Sequence, residues 1–225
     1  MLVDTTPALA ENAAQTLQAA LRENGADEQA LAKLVAVASI ADLAHVDGGP
    51  PDLVIEAVPE ILDLKERTFA ELAFTLPLNT VLASNTSSMS ITTLASAASL
   101  RSDSKTPPTF IQQSPKRVVG LHYFNPVSAM ELIEVVAALQ TDAAVVERME
   151  AFARASGKQP VVIKDRPGFI VNRLLIAFIR EAIAMLEAGA ATRENIDNAL
   201  SLGARHPMGP LRLVDMIGLV RIKVH

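Results

Sequence analysis

The sequence contains no cysteine and no tryptophan, and only 4% of its 225 residues are aromatic. Without cysteine the chain can form no disulfide, no thiolate nucleophile and no cysteine-ligated metal site. The absence fits a reducing compartment. Half of the residues are hydrophobic, so the chain can still bury a sizeable core, built mainly from Ala, Val, Leu and Ile.

Long apolar runs and a basic stripe are absent as well. The longest apolar stretch, Phe169 to Met185, carries four polar interruptions, at Asn172, Arg173, Arg180 and Glu181. It falls short of the roughly 18 apolar residues of a membrane span and predicts a buried helix. The 20 basic and 25 acidic side chains are mixed along the chain, which argues against a nucleic-acid partner. No signal or transit pattern opens the sequence, so we expect a cytoplasmic protein, with mitochondria or peroxisomes as alternatives.

Strands and helices alternate through the first 164 residues and give way to helices alone after Asp165. The predicted strands lie at 52–58, 80–83, 118–123, 132–137 and 160–164, after a short strand end at Leu2-Val3. The later helices are predicted at 169–188, 194–202 and from 211. Alternation predicts an α/β domain with a parallel, Rossmann-like sheet over residues 1–164. An all-helical domain is predicted over residues 165–225.

One polar segment, Arg101 to Pro115, interrupts this pattern. It contains three prolines and one large aromatic residue, Phe110. Long loops cost little stability. We therefore expect this segment to be an exposed and dispensable insertion.

Ligands of open α/β sheets bind beyond the carboxyl ends of the strands. That rule selects Asp4, the stretch Glu56 to Glu60, the cluster Ser84 to Ser88, and His122 to Asn125. Of the four histidines, only His122 ends a predicted buried strand. A catalytic histidine and a hydrogen-bonded structural histidine are equal alternatives at such a position.

Glu134 is the natural partner of His122. A carboxylate inside a strand is costly unless it is paired, and a turn at Asn125-Pro126 would bring the two strands together. A histidine–glutamate pair is a general-base device, because the carboxylate orients the imidazole and stabilises its protonated form. The alternative is that Glu134 faces solvent on an edge strand.

Two further polar groups have both a structural and a functional interpretation. The Ser84 to Ser88 cluster offers many hydrogen-bonding groups, although such clusters often cap a following helix. Asn172 lies in the first turn of a very apolar helix and must find a partner. That partner would be in the core or in an interdomain cleft.

The joint order and spacing of these segments resemble the 3-hydroxyacyl-CoA dehydrogenase family over almost the whole chain. The matching segments are Asp52 to Glu60 with Lys65, Ala83 to Ser88, Gly120 to Pro126, Leu132 to Val136, Lys164 to Arg173, His206 to Pro210 and Asp215 to Leu219. The resemblance implies NAD-dependent oxidation of an (S)-3-hydroxyacyl-CoA. It also implies an acyl-CoA substrate between the two domains and a homodimer formed through the helical domain.

The resemblance also implies roles for individual residues. His122 would take the proton of the 3-hydroxyl, Glu134 would orient His122, and Ser87 and Asn172 would hydrogen-bond the substrate oxygen. The residues that match positions lining the NAD cofactor are Asp4, Glu60, Lys65, Asn85 and Asn125. An acidic residue at the position of Asp4 favours NAD over NADP, because it accepts hydrogen bonds from the ribose.

The chain departs from the family at three places. The family opens with a strand and a Gly-x-Gly-x-x-Gly turn, and none of the ten glycines has that spacing. Residues 101–115 exceed the family's usual link, and Val220 to His225 match nothing in it. We therefore expect a chain that is truncated at both ends and binds NAD poorly. The alternatives are a related sugar-acid dehydrogenase and an inactive fragment that keeps only a dimerising helical surface.

Overall fold

A computed structural model describes residues 1–4, 6–23, 25–99 and 107–218. The chain divides into two compact units, Met1–Arg166 and Pro167–His225. Within the described ranges no helix has the length and apolar character needed to cross a bilayer.

The first unit is built on a five-stranded sheet in which the strands lie in chain order. These strands are β1 (Leu53–Glu56), β2 (Val81–Ser84), β3 (Val118–Tyr123), β4 (Leu132–Ala137) and β5 (Gln159–Lys164). The helices of this unit are α1 (Pro7–Glu23), α2 (Glu28–Ala32), α3 (Leu62–Thr75), α4 (Ile91–Ala97), α5 (Pro108–Gln113) and α6 (Ala143–Ala155). Leu2 forms an isolated parallel bridge with Ala36. A Rossmann-like sheet domain followed by helices is confirmed.

One strand pair departs from the parallel arrangement predicted above. β3 and β4 are antiparallel, whereas β1–β2, β2–β3 and β4–β5 are parallel. Only residues 124–131 separate β3 from β4, and no helix lies among them. A parallel connection needs a crossover of about a dozen residues or more, so a link of this length permits only a hairpin.

One hydrophobic core cluster of this unit lies between the sheet and α6. Alternate residues of β2, β3 and β4 point to one face, where they pack with Met149 and Ala153 of α6. The strand residues of this cluster are Val81, Ala83, Val119, Leu121, Ile133 and Val135. The intervening residues of β3 and β4, among them His122 and Glu134, therefore point to the opposite face.

Gly120 allows a close approach on that opposite face. A Cβ atom at this position would lie 2.7 Å from Cβ of Val136 and 3.0 Å from the side chain of Ile91 in α4. β3, β4 and α4 can therefore pack together at this point only because residue 120 has no side chain.

The prediction of an exposed loop over residues 101–115 is wrong for its second half, and residues 101–106 lie outside the described part of the chain. Pro108–Gln113 form α5, and Ser114–Arg117 form a 3₁₀ helix. Ser114 is fully buried, and Phe110 is partly buried with its ring 5.9 Å from the guanidinium carbon of Arg117. The segment leads directly into β3, and its dispensability stays a prediction.

The second unit consists of α7 (Val171–Glu187), α8 (Arg193–Gly203) and α9 (Pro210–Ile217) in its described part. Ala182, Ile196 and Leu211 bring the three helices together in a small apolar core. The buried carboxylate of Asp197 accepts from the backbone N–H of Leu211 at 2.8 Å and so caps the start of α9.

Candidate active site

Three of the predicted site residues form one continuous hydrogen-bonded row. Nδ1 of His122 lies 2.7 Å from Oε2 of Glu134, and Nε2 of His122 lies 3.1 Å from Oγ of Ser87. Glu134 is 1% exposed and His122 is 3% exposed, whereas Ser87 is exposed. The row therefore leads from a buried carboxylate, through an imidazole, to a hydroxyl at the surface of the unit.

The strand register explains the pairing of His122 with Glu134. The two residues are directly opposite each other in the antiparallel pair of β3 and β4. Directly opposite side chains point to the same face with their Cβ atoms about 4.5–5.5 Å apart. Because the short link permits only a hairpin, the sequence itself places the carboxylate beside the histidine. The alternative of Glu134 facing solvent on an edge strand is excluded, since β4 lies between β3 and β5.

The carboxylate decides which imidazole nitrogen can act as a base. An ionised carboxylate only accepts hydrogen bonds, so the proton of a neutral His122 lies on Nδ1. Nε2 then carries the lone pair and accepts from the hydroxyl of Ser87. This arrangement leaves an unprotonated nitrogen at the exposed end of the row, where it can take a proton from a bound alcohol.

A second charged network lies at the ends of β1 and β2. The ammonium of Lys65 on α3 contacts Oε1 of Glu56 at 2.7 Å, Oε2 of Glu60 at 3.2 Å and the carbonyl of Val58 at 2.9 Å. Lys65 is 1% exposed and thus buried among these acceptors. Glu56 also accepts from Oγ of Ser84 at 2.6 Å. The network therefore joins the ends of two neighbouring parallel strands to α3.

Glu60 connects this network to the residues around Ser87. Its Oε1 atom accepts from the hydroxyl of Thr86, from the backbone N–H of Ser87 at 3.2 Å and from Oγ of Ser88 at 3.1 Å. Burial by itself would raise the pKa of Glu60, but the hydrogen bond from Thr86 and the charge of Lys65 outweigh it and lower the pKa below its usual value. Glu60 is therefore held as an anion beside the serine cluster.

The other predicted site residues occupy varied positions. Asn85 accepts from the backbone N–H of Tyr123 at 2.9 Å and so links the ends of β2 and β3. Asp4 and Asn125 are exposed in the first unit. Asn172 is partly buried in the first turn of α7, in the second unit. The ammonium of Lys65 is buried against Glu56, Val58 and Glu60, and the place of Lys65 in a cofactor site stays a prediction.

Glu56 and Thr86 lie in stretches that the sequence selects, but neither was given a role of its own, although both are buried parts of these networks. Glu56 carries the same signal that identified Glu134, a carboxylate inside an apolar strand. Thr86 carries no such signal, because a threonine in a hydroxyl-rich loop is ordinarily exposed. Among the described residues, no group of three or more His, Cys, Asp or Glu side chains is placed to bind a metal ion.

The matches to known proteins cover both units. Residues 1–166 match the NAD binding domain of 3-hydroxyacyl-CoA dehydrogenase, and residues 168–223 match the C-terminal domain of the same enzyme. The human mitochondrial hydroxyacyl-coenzyme A dehydrogenase is 38% identical over 229 residues, which cover 97% of this chain and 68% of that protein. The 3-hydroxybutyryl-CoA dehydrogenase of Bradyrhizobium diazoefficiens is 42% identical over 194 residues, which cover 86% of this chain and 60% of that protein. This chain thus spans about two thirds of its relatives' length.

Solved structures give the same result. The (S)-3-hydroxybutyryl-CoA dehydrogenase of Ralstonia eutropha superimposes with a TM-score of 0.82 at 36% identity, over 98% of this chain and 74% of that one. The family matches cover both compact units. The chain belongs to the 3-hydroxyacyl-CoA dehydrogenase family.

Proposed function

We propose that the protein oxidises (S)-3-hydroxyacyl-CoA to 3-oxoacyl-CoA with NAD⁺, in fatty-acid or short-chain acyl-CoA metabolism. The observation that carries the proposal is the row of Ser87, His122 and Glu134, with distances of 3.1 and 2.7 Å. Oxidation of a secondary alcohol needs a base for the hydroxyl proton and an acceptor for the hydride. The row supplies the base, and the NAD binding domain supplies the place for the acceptor.

His122 performs the proton transfer in this proposal. Its Nε2 takes the proton of the 3-hydroxyl as the C3 hydride departs, so the alcohol loses two electrons and two hydrogens. When the substrate binds, the hydroxyl of Ser87 turns from Nε2 to donate its single proton to the substrate oxygen and keeps that oxygen near Nε2. Asn172 is proposed as a second donor to that oxygen.

Glu134 is proposed to act through His122. Its carboxylate holds the proton on Nδ1 and thereby keeps Nε2 available. When the imidazole becomes protonated, the adjacent buried negative charge stabilises it. An uncharged residue in place of Glu134 would lose both effects.

The described residues fit the polar parts of a dinucleotide. The exposed carboxylate of Asp4 can accept hydrogen bonds from ribose hydroxyls. Glu60, Asn85 and Asn125 follow the carboxyl ends of β1, β2 and β3, the edge at which ligands of such sheets bind. Lys65, which contacts Glu60, is proposed to belong to the same cofactor site. When bound, NAD⁺ accepts the hydride.

The domain assignment is part of the same proposal. We place the NAD-binding domain at residues 1–164 and the helical domain at 165–225, near the division between the two compact units. The proposal also includes an acyl-CoA substrate, a homodimer formed through the helical domain and a cytoplasmic location. The apolar character of α7 supports the dimer, since Leu174 in this helix is 66% exposed.

Replacement of His122 tests the function directly. In the purified 225-residue protein, NADH formation from (S)-3-hydroxybutyryl-CoA is measured for the native chain, His122→Ala and His45→Ala. Removal of a general base should lower kcat roughly 10²–10⁴-fold. His45 is an exposed histidine of the same unit and serves as the control, with kcat unchanged. A raised KM with unchanged kcat in His122→Ala would assign this residue to binding alone. A native chain that binds NAD but forms no NADH from this substrate would overturn the function.

A further inference from the structure

The position of Ser87 depends on the residue that precedes it. Thr86 is 1% exposed, although it lies in a loop of hydroxyl residues. Its hydroxyl donates to Oε1 of Glu60 and accepts from the backbone N–H groups of Ser88 at 3.3 Å and Met89 at 3.0 Å. The loop thus turns around the hydroxyl of Thr86, with Ser87 at its exposed tip.

The acceptor of that hydroxyl is itself held in place. Oε1 of Glu60 also accepts from the backbone N–H of Ser87, while Oε2 contacts Lys65 at 3.2 Å. Lys65 is in turn paired with the buried Glu56 at 2.7 Å. A series of contacts therefore runs from the buried ends of β1 and α3 to the backbone of Ser87.

Helix capping does not explain the buried hydroxyl of Thr86. The N-cap of α4 is Ser90, whose Oγ accepts from the backbone N–H of Thr93 at 3.2 Å. Asp165 adds a second cap, since its carboxylate accepts from Oγ of Ser90 at 2.7 Å and from the backbone N–H of Thr92 at 2.8 Å. The hydrogen bonds of Thr86 lie before this helix and shape the loop that carries Ser87.

We propose that Thr86 is a positioning residue, which holds the hydroxyl of Ser87 against Nε2 of His122 by tying the loop 84–89 to Glu60. This inference rests on the proposed function, because it concerns the donor that binds the reacting oxygen. Thr86 itself need not touch substrate or cofactor. Its methyl group is not required for this role, so serine should replace it and valine should not.

The test compares Thr86→Val and Thr86→Ser with a control at the opposite end of β2. Thr80 is also fully buried, and its hydroxyl donates to the carbonyl of Pro51 at 2.7 Å. Thr80→Val therefore removes a buried threonine hydroxyl far along the same strand from Ser87. If Thr86→Val fails to fold, Thr86→Ala removes the same hydroxyl without the bulk of the second methyl group.

Two measurements on the 225-residue protein need neither cofactor nor substrate. The ¹⁵N resonance of Nε2 of His122 reports its hydrogen bond to Ser87, and amide hydrogen exchange reports the loop. In Thr86→Val we expect the resonance to shift by more than in Thr80→Val. The amides of Ser88 and Met89 should exchange about five- to tenfold faster, the effect of losing one hydrogen bond. Thr86→Ser should resemble the native chain in both measurements.

A third measurement connects the position of Ser87 to turnover. Thr86→Val should lower kcat for (S)-3-hydroxybutyryl-CoA more than it raises KM, while Thr80→Val should leave both unchanged. An unshifted His122 resonance in Thr86→Val, or an equal shift in Thr80→Val, would overturn the positioning role. A native chain that binds NAD but does not oxidise the substrate would overturn the proposed function instead, and the resonance comparison would still decide the role of Thr86.

Discussion

The two ends of strands β2 and β3 both bury polar side chains, but they satisfy them in different ways. At the amino end, Thr80 and Arg117 donate to backbone carbonyls, and Arg117 reaches those of Ala73, Leu76, Pro77 and Thr80. At the carboxyl end, Ser84 and His122 bond to the side chains of Glu56, Ser87 and Glu134.

This difference gives the amino end of the strands a structural role and allows the carboxyl end to take part in a reaction. Backbone carbonyls do not ionise, so the contacts at the amino end keep the same charges from acidic to neutral pH. Burial lowers the pKa of Arg117 to about 10, and its guanidinium therefore stays charged over that range. The carboxyl end depends on carboxylates and a histidine, whose hydrogen bonds change when they gain a proton. Of these two ends, only the carboxyl end can therefore support proton transfer.

The largest effect on stability is expected at the carboxyl end, from Lys65→Met. This change leaves the buried carboxylate of Glu56 without its ammonium partner. Removal of one partner of a buried ion pair costs about 3–5 kcal/mol. Urea unfolding at neutral pH measures the loss of stability.

The exposed Lys33 provides the matched control for this change. Lys33→Met should alter the free energy of unfolding by no more than about 0.5 kcal/mol, as surface substitutions usually do. A loss of stability in Lys65→Met no larger than that in Lys33→Met would contradict the view that a buried carboxylate had been left without its partner.

Arg117→Met should have the next largest effect, now at the amino end. It leaves the carbonyls at the end of α3 without their donor in a buried place. Unsatisfied buried acceptors cost about 1–3 kcal/mol. Since no ionisable group is left behind, the loss should be equal at neutral and acidic pH, and the ¹⁵N spectrum of His122 should not change. A loss of stability in Arg117→Met that becomes smaller at acidic pH would contradict the distinction between the two ends.

The sequence predicts the carboxyl end far better than the amino end. Glu134 was found because a carboxylate inside a strand demands a partner, and a short link between strands allows only a hairpin. Arg117 follows a polar, proline-containing segment with the composition of an exposed loop. Its partners are carbonyls of α3, some forty residues away in sequence. Only the packed structure brings them together.

Helix α1 shows the same limit, because the sequence predicts the helix but not which of its faces is buried. Leu9, Ala13, Leu17 and Leu21 recur at helical spacing in the sequence, which predicts this helix. Leu9 and Leu17 are nevertheless exposed in the structure, at 48% and 39%. Ala10 and Ala14 are the buried residues of this helix. The period of a pattern predicts the kind of element, but the face that packs is decided by neighbouring elements.

The smallest effect is expected from Glu60→Gln, which tests whether charge at the carboxyl end matters for the loop of Ser87. The pKa of Glu60 is lowered in the folded protein, so this group contributes stability above its unfolded pKa and loses it as the pH falls through the folded value. Its side chain is 41% exposed, and solvent screens the interaction with Lys65. Glu60→Gln should therefore be slightly less stable than the native chain at neutral pH, and the two unfolding curves should converge in acid. Urea titrations across the acidic range measure the convergence. A difference in the free energy of unfolding that stays constant across this range would mean that Glu60 acts through its shape and hydrogen bonds. The carboxyl end of the sheet would then depend less on charge than its contacts indicate.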